Sequence, residues 1–119
     1  MINSSIIITA EKKEKFIEKT IDSCIKQNYR NFEIIVAYTK LKNLNILKKR
    51  FAPYKIFFIK VHKRLNNRLH DQLNKIKICL KISRGENIFL LDGDDIFLPN
   101  KLAFINKVIK KKEILIIDN

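Results

Sequence analysis

Apolar residues along this chain follow two alternating patterns. Short continuous runs sit at Ser5–Thr9, Phe32–Ala37, Tyr54–Val61, Ile88–Leu91 and Ile114–Ile117. Runs of this length, rich in β-branched residues and bounded by turn-forming positions, predict strands buried on both faces. Between them the apolar residues recur every three or four positions, which predicts helices. Phe16, Ile17, Thr20, Ile21, Cys24 and Ile25 mark a helix from Glu14 to about Gln27, with Lys15, Glu18, Lys19 and Lys26 opposite. Leu41, Leu44, Ile46, Leu47 and Phe51 mark a Lys-rich one that Pro53 ends. Leu69, Leu73, Ile76, Cys79 and Leu80 mark a third, with Gly85 where a C-terminal cap belongs. Pro99 opens a fourth, where its missing N–H costs little, and Leu102, Phe104, Ile105, Val108 and Ile109 form its apolar side.

Strand–helix alternation of this kind predicts an α/β fold, with a mainly parallel sheet and helices on both faces. In such sheets ligands bind beyond the carboxyl ends of the strands, where the strand order reverses. The fourth strand ends at such a place in Asp92-Gly93-Asp94-Asp95. Side chains alternate along an extended backbone, so Asp92 and Asp94 fall on one side. Gly93 between them allows a bend or a close approach. Two converging carboxylates suit a hard divalent cation such as Mg²⁺ or Mn²⁺, which takes oxygen ligands together with substrate phosphates. Aspartates after a strand also make turns and cap helices, and Asp95, just before Pro99, suits that role.

Composition narrows the classes. At 119 residues with 46% hydrophobic content the chain is one domain with enough apolar surface for a core. No apolar run approaches the roughly 18–20 residues needed to span a bilayer. Met1–Ser5 has no basic region before an apolar stretch, so no secretory signal is expected. Cys24 and Cys79 then read as reduced, buried thiols in a cytoplasmic protein. The net charge of +13 is mostly lysine and accompanies abundant Ile and Asn, so it reads as a compositional bias whose consequence is attraction to phosphate. Few of the lysines are interleaved with aromatics, and nucleic acid is not an expected partner. Contact with an anionic membrane face, through Lys110–Lys112 for instance, is compatible with the charge. His62 and His70 have no ligand partners at metal spacing. Two glycines in the whole chain, Gly85 and Gly93, leave no phosphate loop or dinucleotide fingerprint.

Three stretches resemble the N-terminal, nucleotide-binding half of family 2 glycosyltransferases of the GT-A fold. Ser5–Ile8 with Glu14–Ser23 is similar to the family's first strand and helix. Gln27–Val36 is similar to the end of that helix and the second strand. Arg84–Asp95 with Leu98–Leu102 resembles the segment around the Asp-x-Asp motif. The resemblance implies a Rossmann-like nucleotide-binding half that binds a nucleoside-diphosphate sugar through Mn²⁺ or Mg²⁺. It implies Asp92 on the nucleotide side and as a metal ligand, and Asp94 as the main metal ligand. Thr9, Ala10, Glu11 and Tyr38 occupy the family's donor-contacting positions.

Departures accompany the match. Thr9, Ala10, Glu11 and Lys12 stand where the family usually has Pro, a small residue, an aromatic and Asn. Tyr38 and Thr39 replace the aspartates expected after the second strand, and Tyr38 either stacks on a base or packs against the core. Ile76 and Lys77 stand in place of an Arg-Asn pair. The family's catalytic carboxylate lies beyond the equivalent of Asn119, so residues 1–119 read as a single domain, apparently truncated and lacking the acceptor-binding half. The leading expectation is a hexosyltransferase-type domain acting with an unknown glycan, lipid or protein acceptor, cytoplasmic or peripheral to the inner membrane face. The alternative is a degenerate, non-catalytic GT-A domain serving as a binding or assembly module.

Overall fold

The computed structural model describes residues 3–10, 14–28, 30–62, 67–92 and 115–118. In chain order the elements are β1 (Ser4–Ala10), α1 (Glu14–Ile25), β2 (Phe32–Tyr38), α2 (Leu44–Arg50), β3 (Ile56–Lys60), α3 (Arg68–Ile82), β4 (Asn87–Asp92) and β5 (Leu115–Asp118). The strands form one sheet in the order β3-β2-β1-β4-β5, and every neighbouring pair is parallel. The helix expected after Pro99 lies outside the described residues.

Alternation along the strands divides the core in two. Ile6, Ile8, Ile34, Val36, Phe89 and Leu91 face one side and pack with Ile17, Ile21 and Cys24 of α1 and Leu47 of α2. Ile7, Ile35, Ala37 and Leu90 face the other and pack with Cys79 of α3. Helices therefore cover both faces, as the sequence predicts, and β1, flanked on both edges, is buried along its whole length. The two cysteines are free and buried, and the sheet stands between them.

Two sequence expectations are corrected on α3. Of the expected stripe Leu69, Leu73, Ile76, Cys79 and Leu80, Cys79 is buried and Ile76 packs against the same core, but the three leucines do not face the sheet: they are 60%, 51% and 43% exposed. The buried positions are Asp71, Lys75 and Cys79. Lys75 Nζ donates to Asp71 Oδ2 at 2.8 Å, and both side chains are fully buried. The pair satisfies both charges, so a polar face can pack inward. Hydrophobic period alone places the leucines on the wrong side. Phe16 and Ile46, expected on apolar helix faces, are likewise exposed.

Gly85 is the second correction. Ser83, in extended backbone, caps α3, and no described glycine has positive φ. What Gly85 supplies is closeness: a Cβ there would lie 2.5 Å from Ser4 C and Ser5 N. Its amide donates to Ser5 Oγ at 2.8 Å, and Ser5 Oγ donates to Glu33 Oε2 at 2.6 Å. The Arg84 amide donates to the same oxygen at 2.6 Å, and Arg84 Nε donates to Glu33 Oε1 at 3.1 Å. This network ties β1, β2 and the α3–β4 turn together at the amino ends of the strands. Burial pushes the Glu33 carboxyl up, but the Ser5 hydroxyl, the Arg84 amide and the Arg84 guanidinium together hold it below the usual carboxylate range.

Candidate functional site

The strand order fixes where a ligand crevice lies. From β1 the chain moves outward through β2 to β3, then returns to add β4 on the other edge of β1. The reversal falls between β1 and β4, and the crevice opens beyond their carboxyl ends. There Thr9 and Asp92 are register partners, and Ala10 pairs with Tyr38 on the other flank. Thr9, Ala10, Tyr38 and Asp92, four of the residues singled out in the sequence, thus lie on three adjacent strand ends. Glu11, Asp94 and Asp95 lie outside the described residues. Among the described residues no cluster of three or more His, Cys, Asp or Glu groups is positioned to hold a metal.

The strand ends are not equivalent. Thr9 is 7% exposed, and Gln72 Nε2 of α3 approaches its Oγ1 to 3.5 Å, the outer limit of a hydrogen bond. Tyr38 is buried with Leu41, Leu47 and Phe51 in the α1–α2 core, which favours packing over base stacking. The loop after β2 holds two buried polar atoms without hydrogen-bond partners, Thr39 Oγ1 and Asn43 Oδ1. Asn43 precedes α2 but its side chain makes no capping bond. Orphaned buried acceptors are uncommon, and each such group calls for an explanation. Asn43 was not legible as a site residue: in sequence it looks like an ordinary helix cap.

The Asp71–Lys75 pair also went unrecognised in the sequence. It begins one residue before Gln72, so buried charge stands behind the crevice wall. Elsewhere the chemistry is quiet. Burial pushes the Cys79 thiol up to about 11. It pushes Cys24 higher still, against a smaller opposing hydrogen bond from Ser23. Neither thiol is activated. A shallow pocket of 310 Å³, lined by residues including Arg30, Tyr54 and Lys55, lies toward the amino end of β2, away from the crevice.

The model of the family described as "Glycosyl transferase family 2" matches residues 5–119. EpsE of Bacillus subtilis (strain 168), a protein named as a glycosyltransferase, is 30% identical over 109 residues, covering 87% of this chain and 38% of its own length. The Escherichia coli UDP-Glc:alpha-D-GlcNAc-diphosphoundecaprenol beta-1,3-glucosyltransferase WfaP is 31% identical over 101 residues, covering 83% of this chain and 38% of its own. The chain therefore spans well under half the length of these relatives. Among solved structures, residues 1–349 of S. aureus TarS in complex with UDP superpose with a TM-score of 0.78 at 20% identity, over 92% of this chain and 32% of that one. The mannosyltransferase PcManGT of Pyrobaculum calidifontis, in complex with GDP-Man and Mn²⁺, gives 0.69 at 18% identity, over 89% of this chain and 31% of that one. At such identities the superpositions establish a shared fold.

Proposed function

This chain belongs to glycosyl transferase family 2, and from that premise we propose that it binds a nucleoside-diphosphate sugar at the crevice between β1 and β4. The observation that carries the reading is the Thr9–Asp92 register pair at the reversal of strand order. A donor bound there would lie against the paired ends of β1 and β4. The complexes of relatives with UDP and with GDP-Man and Mn²⁺ support the ligand class.

The residues fit a divalent ion by donor type. Asp92 and Asp94 offer carboxylate oxygens, which hard cations such as Mn²⁺ and Mg²⁺ prefer, and both would hold the ion. When bound, it offsets the negative charge that develops on a departing nucleoside diphosphate. Thr9, Ala10 and Glu11 would line the donor from the β1 side. On the β2 side Tyr38 and Thr39 stand where the family usually has carboxylates. Tyr38 supports that wall from the core. Transfer to an acceptor needs a general base within hydrogen-bond reach of the acceptor hydroxyl, and no residue is assigned to it. In the whole enzyme the expected reaction is hexosyl transfer to a glycan, lipid or protein, with residues 1–119 as the donor-binding domain.

The test is calorimetric titration of the folded chain with UDP, GDP, CDP and dTDP, with and without Mn²⁺, repeated on Asp94→Ala. Metal-dependent binding of one nucleotide, lost in the variant, is expected. A folded chain that binds none of the four would leave the second reading, a non-catalytic module, which the missing aspartates at Tyr38 and Thr39 favour.

A further inference from the structure

We propose that the outward face of α3 is a docking surface for an anionic lipid bilayer. The helix packs on the sheet through Asp71, Lys75 and Cys79. At about 100° per residue, Leu69, Leu73 and Leu80 fall within about 40° of one another and about 140° from the centre of that buried face. All three point to solvent. Of the eight exposed large hydrophobic side chains among the described residues, four are on α3: these three, and Ile82 at its C-terminal end on the packed side. A fifth, Phe57, has Ile35 as its register partner. Ile35 belongs to the α3-side core, so Phe57 lies on the same face of the sheet, with the Arg84 guanidinium over its ring at 5.8 Å.

Charge selects the occupant. The exposed positions Lys77 and Lys81 lie beside the stripe, and the helix's one acid, Asp71, is buried against Lys75. A second copy would bring a like-charged face of a +13 chain against this one. An anionic surface is complementary to it. The stripe is aliphatic and one-sided, with long basic side chains that can extend past it to lipid headgroups. At 15 residues the helix is about 22 Å long and too short to cross a bilayer, so it would lie in the interface plane. The stripe starts near Gln72, which touches Thr9, so docking would hold the candidate donor site close to the membrane.

The test is flotation of the full chain with vesicles at about 0.15 M salt, where Debye screening suppresses diffuse attraction. Neutral phosphatidylcholine vesicles are compared with phosphatidylcholine–phosphatidylglycerol vesicles. Binding to the anionic vesicles alone is expected. Leu73→Ser should weaken it about fivefold and Leu69→Ser/Leu73→Ser/Leu80→Ser should abolish it, since each leucine loses its insertion. Lys77→Glu and Lys81→Glu should each weaken it at least fivefold. The substituted side chains are exposed, and circular dichroism checks that each variant remains folded. Three results would overturn the proposal. One is no binding by the folded chain. The second is binding that the triple leucine variant retains, which would make it general basic adhesion. The third is concentration-dependent dimerisation that the leucine substitutions remove, which would assign the face to a second copy. Nucleotide titration is read separately, so donor binding can fail while docking stands.

Discussion

Replacing Lys75 by Met tests whether α3 is held by its polar face. The Nζ–Oδ2 separation is 2.8 Å with both side chains fully buried. At an effective dielectric of about 20 the attraction is about 6 kcal/mol. Removing each ion from water costs several kcal/mol, so the intact pair adds little net stability. Loss of one partner is different, because it leaves the other charge buried and uncompensated. Lys75→Met keeps the aliphatic stem and strands Asp71, and should cost about 3–5 kcal/mol. For 119 residues total stability is of order 6–18 kcal/mol at about 0.05–0.15 kcal/mol per residue, so this is a large fraction. Asp71→Leu should cost more, because Asp71 makes a further interaction besides Lys75. The double variant Asp71→Leu/Lys75→Met should recover most of the loss. Urea unfolding followed by far-UV circular dichroism reads each value from the midpoint, with slopes of about 1–3 kcal/mol per molar. A Lys75→Met chain destabilised by less than about 1 kcal/mol would refute the reasoning. So would a double variant no better than the worse single one, since the two effects would then be uncoupled.

Three further outcomes follow from the same packing. Gly85→Ala should lose at least about 2 kcal/mol in the same unfolding assay, because its Cβ meets main-chain atoms of Ser4 and Ser5 at 2.5 Å and the backbone must shift. Glu33 has a lowered carboxyl pKa in the fold, so its contribution is present above the unfolded value near 4.3 and is lost as pH falls through the lower folded value. Unfolding measured from pH 6 downward should show that acid loss, and Glu33→Gln should flatten it while costing about 1.5–3 kcal/mol at neutral pH. Cys24 and Cys79 are buried with raised pKa values. A thiol reagent at pH 8 should therefore label neither in the native chain and both after unfolding, and rapid native labelling would contradict the burial.

The sheet was legible because continuous apolar runs such as Ile6–Ile8 and Ile34–Val36 have one comfortable environment, a parallel strand covered on both faces. Asp92 was legible because three acids in a chain of +13 stand out, and the register then set it against Thr9. The orientation of α3 was not, because its leucines repeat at helical spacing and a Lys four residues after an Asp usually reads as a solvated pair. Only three-dimensional closeness reveals that Lys75 and Asp71 satisfy each other in the core. Gly85 misled for a related reason. A glycine after a helix usually signals left-handed backbone, whereas here the constraint comes from β1, eighty residues earlier in sequence. The unpaired Thr39 and Asn43 oxygens carry no signal in sequence at all, since pairing is a property of neighbours.

The central place of β1 bears on how the chain reaches this fold. Its residues pair with β2, as at Ser5–Glu33, and with β4, much farther along the chain, as at Ser5–Ile88. Loop-closure entropy must be met before such distant pairings repay it, so folding should be slow for a domain this small. During synthesis from the N-terminus, β1 emerges first and keeps one edge unpaired until β4 has left the ribosome. That edge carries Ser5-Ile6-Ile7-Ile8, uncharged and β-branched, the composition that pairs readily with other chains. The interval between the emergence of β1 and that of β4 is thus the period of greatest aggregation risk, and slowing translation between residues 38 and 87 should lower the yield of soluble protein.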